Sequence, residues 1–361
     1  MNHKYIKEMH EKFNASDETQ SLFEKIIELP SNRREDILKD VHVLIEHTGL
    51  AYALLSLYRQ QVNSGFVLAD PLNVKKKEEK KIFDPYTGVT FRVQWNPDRE
   101  LRKNHELLVE RGVIAEKANE TKLTNKDKNG KACYLCKTNI DEQNPGEILL
   151  DMNFQGEKYY AGANFAYITN NHYTIMSEEH RPQQYRKKIL EALNDFVDKT
   201  GGYFRTIFNG LAGASIEEHE HMQATTEEFP IERLKIENRD VIYENNDIRI
   251  SNPKYYCSIR VVEGTGRAKT EDAADKIISK WHNMDGQYHT INIIAAKPDN
   301  QYRIFIILRD KRKLVGNGKS GAMASFETGG NIILSYEPKV KSGKETNERE
   351  TFDKTNLETI K

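Results

Sequence analysis

Cysteine is scarce in this chain: three residues, Cys133, Cys136 and Cys257, among 361. An odd and small number cannot staple a protein of this length, so a disulfide scaffold is excluded and a reducing compartment is expected. Long apolar runs are also missing. The longest, such as Ile304 to Leu308, fall far short of the ~20 residues that span a bilayer, and Met1 to Asn14 lacks the apolar centre of a signal peptide. Nor is there a basic excess, since 54 Lys and Arg face 55 Asp and Glu for a net charge of −1. Such a balance offers no field for a long polyanion. The expectation is a soluble, cytoplasmic protein with neither a nucleic-acid nor a membrane partner.

What is present is a charged chain (30% Asp, Glu, Lys and Arg; 37% apolar) long enough for one large or two medium domains. The first third reads as helical. Ser16-Asp17 can cap a helix reaching Leu29 before Pro30, Ser31 or Asn32 can cap the next, Gly49 ends that one, and Ala51 to Val62 continues as a third. Lys75-Lys76-Lys77 with Lys80-Lys81 reads as a solvated loop or face, followed by a strand over Thr90 to Trp95. Lys117 to Lys131 reads as a mobile polar loop. Short strands fill Lys158 to Met176, helical spacing marks Gln183 to Lys199, and a helix around Ala273 to His282 precedes strands at Thr290 to Ala295 and Tyr302 to Leu308. From Lys339 the chain reads as a loosely attached charged tail. A weak echo links Tyr160–Ser177 with Tyr288–Leu308.

The chemistry concentrates in three places. In a strand, His219, His221 and Gln223 share one face, ~6.5–7 Å apart, with Glu220 and Met222 on the other. Such a row can hold two imidazoles and an amide against one polyphosphate. An imidazole can attack phosphorus and later leave, dividing one displacement into two, while Gln223 donates to a non-bridging oxygen. An exposed polar strand would show the same pattern. The turn just before it, Asn209 to Ser215, is Gly-rich, and small residues there let backbone N–H groups approach a phosphate. Cys133-Tyr134-Leu135-Cys136 spaces two thiolates for one zinc, a redox pair or a buried pair. A zinc would have to recruit ligands from His172, His180, His219 and His221. His172 and His180 fall at opposite ends of one strand.

Taken together, these residues resemble the galactose-1-phosphate uridylyltransferase-like branch of the histidine-triad superfamily, from roughly Arg92 to Arg312. The run Asn209 to Ala224 with Phe229-Pro230-Ile231-Glu232 is also similar to GDP-L-galactose phosphorylases. The resemblance implies an α+β fold, a HIT-like antiparallel sheet flanked by helices and built from two HIT-like halves in one chain. It divides the chain into an N-terminal helical segment (1–75), a catalytic domain (76–338) and the tail (339–361). It further implies His221 as the nucleophile that becomes nucleotidylated and Gln223 as the amide supporting the transferred phosphate. Zinc ligands would be Cys133, Cys136, His180 and His219. Substrate contacts would come from Tyr134, stacking on the base, Asn164, the loop residues Asn209, Gly213 and Ser215, and the basic Arg309 and Lys311. The chain departs from the family at Asn164-Phe165-Ala166, where relatives often carry Asn-Pro-Phe, and at Leu308 to Arg312, where they often show Pro-Arg before a basic pair.

The expected function is therefore a nucleotidyltransferase that moves a nucleoside monophosphate from a nucleoside diphosphate sugar or dinucleotide to a phosphate or sugar-phosphate acceptor. Hydrolases of the superfamily resemble the row but carry a third histidine where Gln223 stands. A phosphorylase using inorganic phosphate is the second reading, and a zinc-stapled nucleotide-binding scaffold without catalysis the third. A structural Zn²⁺ is the expected metal, a nucleotide or nucleotide sugar the expected partner, and a homodimer is compatible with this picture.

Overall fold

The computed structural model describes residues 3–68, 77–127, 129–313, 323–334, 339–341, 344–346 and 352–360. It opens with four helices: α1 (His3–Lys12), α2 (Asp17–Glu28), α3 (Arg34–Thr48) and α4 (Leu50–Asn63). Ser16 caps α2 by accepting from the Thr19 N–H. The expected cap at Ser31 or Asn32 is replaced by a 3₁₀ turn over Ser31–Arg33, and α3 starts at Arg34 without a side-chain cap. Gly49, at φ 87°, turns the chain between α3 and α4, a conformation that costs a non-glycine residue. Helix α1 is the element that the charged first residues concealed. Helix α4 is buried from Leu50 to Gln61, so its two glutamines need partners. Gln60 donates to the Leu29 carbonyl (2.8 Å) and Gln61 accepts from the Ile148 N–H (3.1 Å), tying the helices to the sheet.

Strands β1 (Glu78–Phe83) and β2 (Thr90–Trp95) form a hairpin, followed by α5 (His105–Glu110) and α6 (Lys137–Gln143). Lys80 and Lys81 thus lie on an edge strand rather than a loop, with the Lys80 ammonium on the Phe352 and Asp353 carbonyls; Lys75 and Lys76 lie outside the described residues. The 117–131 stretch holds turns and is tied down where Asn139 exchanges hydrogen bonds with Thr124.

The centre is a ten-stranded sheet whose strand pairs are all antiparallel. Its first five strands are β3 (Leu149–Phe154), β4 (Glu157–Ala163), β5 (Tyr173–Ser177), then, after helix α7 (Lys187–Lys199), β6 (Arg205–Asn209) and β7 (His221–Thr225). The next five are β8 (Val241–Glu244), β9 (Ile248–Ser251), β10 (Ile259–Gly264), then, after helix α8 (Arg267–Met284), β11 (His289–Ala296) and β12 (Tyr302–Asp310). The spatial order is β3-β4-β5-β7-β6-β11-β12-β10-β9-β8. Each set is a three-strand meander, a helix and a returning hairpin, and the sets meet where β6 pairs with β11. The two expected halves are present. The echo noticed in sequence, however, pairs unlike parts: Tyr160–Ser177 lies in the meander of the first half, and Tyr288–Leu308 is the returning hairpin of the second.

The sheet has two faces. On one, Met222, Ala224, Phe208, Ile291 and Ile293 join α7 and the N-terminal helices in the main apolar cluster. Removing a ring such as Phe196 from that cluster would cost about 3–5 kcal/mol. The other face carries two smaller clusters. One, around Ile207, Phe229, Ile294 and Phe305, covers the centre and the second half. The other, around Cys133, Leu149, Tyr160 and Met176, covers the outer strands of the first half. The short helix α9 (Ser325–Thr328) closes over the first of these and leads to β13 (Asn331–Leu334), which pairs in parallel with β2. The expected loose tail is held at Phe352, which is buried against Val93 and Trp95.

Candidate active site

Between those two clusters runs a polar row. Opposed residues of antiparallel neighbours project to the same face, so the register Gly162–Thr174–Gln223 places these three side by side across β4, β5 and β7. One step along, Tyr160, Met176 and His221 do the same. The alternation expected for the histidine row holds: Met222 enters the main core, and Glu220 turns to the opposite side. There the Glu220 carboxylate, fully buried, accepts from the Tyr159 hydroxyl (2.9 Å) and the Arg186 guanidinium (2.9 Å) and pairs with Arg181 (3.2 Å). This network anchors the back of the segment whose front carries the imidazoles.

His221 is buried and held from several sides. Its N–H donates to Gln183 Oε1 (2.7 Å), and the same amide returns Nε2 to the carbonyls of His221 (2.9 Å) and Asn209 (2.8 Å). The ring Nδ1 lies 2.9 Å from the His219 carbonyl. A carbonyl can only accept, so Nδ1 carries the proton and Nε2 keeps the lone pair. Among the described residues, Nε2 has no hydrogen-bond partner. Burial lowers the affinity of this ring for a second proton, and the neighbouring backbone and carboxylates only partly oppose that. Gln223 accepts from His172 Nε2 (2.9 Å), while His172 Nδ1 accepts from the Ile168 N–H (3.2 Å). Burial brings His172 down to about 4, so it stays neutral. With its oxygen occupied, Gln223 is left to present its NH₂.

Cys133, Cys136, His180 and His219 converge with all four ligand atoms within 4.8 Å of one another. His219 Nδ1 is 3.3 Å from Cys133 Sγ, 3.6 Å from Cys136 Sγ and 3.3 Å from His180 Nδ1, and Cys136 Sγ is 3.4 Å from His180 Nδ1. In a zinc tetrahedron with S at about 2.3 Å and N at about 2.0–2.1 Å, the S–N and N–N edges are about 3.5 and 3.4 Å. The donor set fits. His219 Nε2 meets the Ser177 carbonyl at 2.8 Å, which turns the Nδ1 lone pair inward. Asn125 donates to Cys136 Sγ (3.1 Å). Burial, with Cys136 alongside, raises the Cys133 thiol to about 11. A cation between the sulfurs would reverse that penalty.

The other anticipated contacts are distributed differently. Asn209 is buried, and its side-chain oxygen accepts from the Ser325 N–H and hydroxyl (both 2.7 Å). Asn164 accepts from the Ala166 N–H and donates to Thr174. Gly213 is buried, Ser215 is exposed, and Tyr134 is half-buried against the cysteine cluster. Arg309, from β12 of the second half, donates to the Ala212 carbonyl (2.8 Å) and Asn292 (3.2 Å). A Cβ on Gly213 would lie 2.3 Å from its guanidinium, so the glycine is what admits Arg309 to the loop. Among the described residues no carboxylate pairs with Arg309 at ion-pair distance. Lys311 follows in the 3₁₀ turn beyond β12. Gln183, which reads as the start of a helix, lies outside α7 and brackets His221; its position directly after Pro182 is the signal the sequence offers.

Residues 57–226 match the family described as a domain of unknown function, DUF4922. Curated relatives are named galactose-1-phosphate uridylyltransferase. That of Streptococcus pneumoniae (galactose-1-phosphate uridylyltransferase 1) is 29% identical over 155 residues, 39% of this chain and 32% of the relative. That of Streptococcus mutans is 27% identical over 209 residues, 51% of this chain and 42% of the relative. The matches thus span well under half the length of these relatives. Among solved structures, yeast Ap4A phosphorylase Apa2 in complex with AMP superposes with a TM-score of 0.49 at 14% identity, over 84% of this chain and 93% of that one. A structure described as uridylyltransferase gives 0.31 at 13% identity, over 76% and 96%. In sequence, then, the chain is similar to the galactose-1-phosphate uridylyltransferases over part of their length.

Proposed function

We propose that the protein transfers a nucleoside monophosphate through a covalent nucleotidyl-His221. The observation that carries this reading is the contact of His221 Nδ1 with the His219 carbonyl: it commits the Nδ1–H, so Nε2, without a partner among the described residues, is a lone pair in a neutral ring. In the first step Nε2 attacks the α-phosphorus of a nucleoside diphosphate sugar or dinucleotide. The N–P bond forms, the P–O bond to the leaving phosphate breaks, and that phosphate departs with the electron pair. The cation left on the ring is stabilised at Nδ1–H by the carbonyl. In the second step an acceptor phosphate oxygen attacks phosphorus and the N–P pair returns to Nε2. Gln223 donates to the non-bridging oxygens during both steps, aimed by His172.

The four ligands Cys133, Cys136, His180 and His219 would hold a structural Zn²⁺, whose role is to fix the strand entering at His219. Arg309, approaching the Gly-rich loop with no carboxylate paired to it among the described residues, would neutralise the departing phosphate. The region 76–338 would form the catalytic domain, with 1–75 as a helical buttress and 339–361 as an appendage. Exchange of labelled sugar 1-phosphate into its nucleoside diphosphate sugar, without a second acceptor, tests the double displacement. Exchange is expected, and its absence with every donor would contradict the reading.

A further inference from the structure

A cavity of about 590 Å³ lies at the far end of the strands that carry the polar row, outside every role assigned so far. Thr226, in its wall, follows β7, whose first residue is His221. At the rise of an extended chain the two ends of that strand are about 13 Å apart. Helix α1, the segment ahead of β5, the turn from α7 to β6 and the turn from β11 to β12 complete the wall. The volume is that of a small-molecule site.

Three cations from three elements line it. Lys12, the last residue of α1, holds its ammonium 4.3 Å from the centre of the Tyr203 ring and pairs with no carboxylate among the described residues. Arg205 commits Nε and Nη2 to Glu232 (3.1 and 3.2 Å), and its Nη1 has no partner among the described residues. Lys297 pairs with Asp198 at 2.8 Å, and an ammonium has three N–H to give. Neither Glu232 nor Asp198 belongs to the wall, in which Asp299 is the one carboxylate among the described residues. Opposite the cations the wall is aromatic and amidic. Phe13 meets Tyr203 edge-on, with ring centres 5.1 Å apart. Asn171, 2% exposed, donates its NH₂ to the Tyr5 hydroxyl (3.1 Å) and to Thr226 (3.0 Å). Its oxygen, also buried, accepts from nothing among the described residues. A buried acceptor without a donor is costly, and a hydroxyl of a bound molecule would satisfy it.

We propose that this cavity is a second binding site, for a small phosphorylated molecule with a hydroxylated body. The phosphate sits between Lys12, Arg205 and Lys297, and the body lies against Tyr203 and Asn171. A phosphate monoester carries about 1.5 to 2 negative charges at pH 7. That answers three cations of which two are already shared with carboxylates, whereas a carboxylate ligand brings a single charge. Asn171 immediately precedes His172, so the occupant lies next to the residue whose imidazole is hydrogen-bonded to Gln223.

Acetylation of lysines, read residue by residue from peptide masses, tests this at the site itself and independently of any catalysis. Glucose 6-phosphate is the probe, with glucose and glucuronate as its uncharged and singly charged counterparts. Glucose 6-phosphate is expected to slow acetylation of Lys12 and Lys297, while glucose and glucuronate at the same concentration leave both unchanged. Lys12 is exposed, so Lys12→Glu should fold, which its melting temperature checks. In that variant the concentration that half-protects Lys297 should rise about tenfold, the loss of one charge-assisted contact. Arg309→Met, at the other end of the strands, should leave it unchanged. Equal protection by glucuronate, protection unaltered in the folded Lys12→Glu variant, protection lost in Arg309→Met, or none from glucose 6-phosphate at millimolar concentration overturns the proposal.

Discussion

The two halves of the sheet share one strand order and differ in what the returning hairpin carries. In the first half β7 reads His221-Met-Gln-Ala-Thr and places an imidazole and an amide between the two smaller clusters. In the second, β12 reads Tyr302-Arg-Ile-Phe-Ile-Ile-Leu-Arg-Asp, and Phe305 and Ile307 fill one of those clusters. One topology thus carries a polar row in one half and packing in the other. Near its C-terminal end β12 contributes Arg309, which crosses to the Gly-rich loop of the first half. The strand order alone does not distinguish the two halves; the residues placed on the strands do.

The comparison can be broken most severely at the metal. C133S with C136S should reduce bound zinc from near one per chain to none, measured by elemental analysis, and destabilise the first half by several kcal/mol, because binding energy is folding energy at a structural site. Thermal melts should show the loss, and full zinc occupancy would refute the site. Next in size is Q183L, which leaves the His221 and Asn209 backbone groups without their bracket. Each unsatisfied buried group costs roughly 1–3 kcal/mol, so turnover should fall about tenfold to a hundredfold as the ring loses alignment, seen in kcat more than in KM.

The pH dependence follows from His172. Its folded value of about 4 lies below the ordinary imidazole value of about 6.5. A depressed value means that the neutral form is favoured by the fold, so its stability contribution is complete above about pH 6.5 and is lost as pH falls toward 4. By pH 5 the loss should be about 1–2 kcal/mol, and H172Q should show a flatter melting profile over that window. An equal slope in both proteins would contradict the assignment. The smallest effect is expected at the seam between the halves. R309M should raise the donor KM about threefold to tenfold, a loss of roughly 1 kcal/mol of charge-assisted contact, with the melting temperature little changed.

Much of this was legible in the sequence because local chemistry enforces it. Alternation sent His219, His221 and Gln223 to one face, and Gly49 and Pro30 punctuated the helices. The spacing of Cys133 and Cys136 admits a metal, a redox pair or a buried pair, and only the convergence of His180 and His219 favours the first. What stayed hidden depends on contacts distant in sequence. Gln183 reads as the start of a helix, yet its amide brackets His221, 38 residues away. Asn209 reads as part of a phosphate loop, yet its oxygen is claimed by Ser325 across 116 residues. The repeat was visible but misregistered, because two-strand segments look alike in sequence and only pairing order distinguishes meander from hairpin.

The central claim is that His221 Nε2 takes the nucleotidyl group. Incubation with a nucleoside diphosphate sugar alone, followed by intact mass and peptide mapping, should find one nucleoside monophosphate on His221 in the wild-type protein and none in a folded, zinc-loaded His221→Gly variant. A wild-type mass that never shifts with any donor, or an H221G variant that turns over at the wild-type rate, would contradict the account.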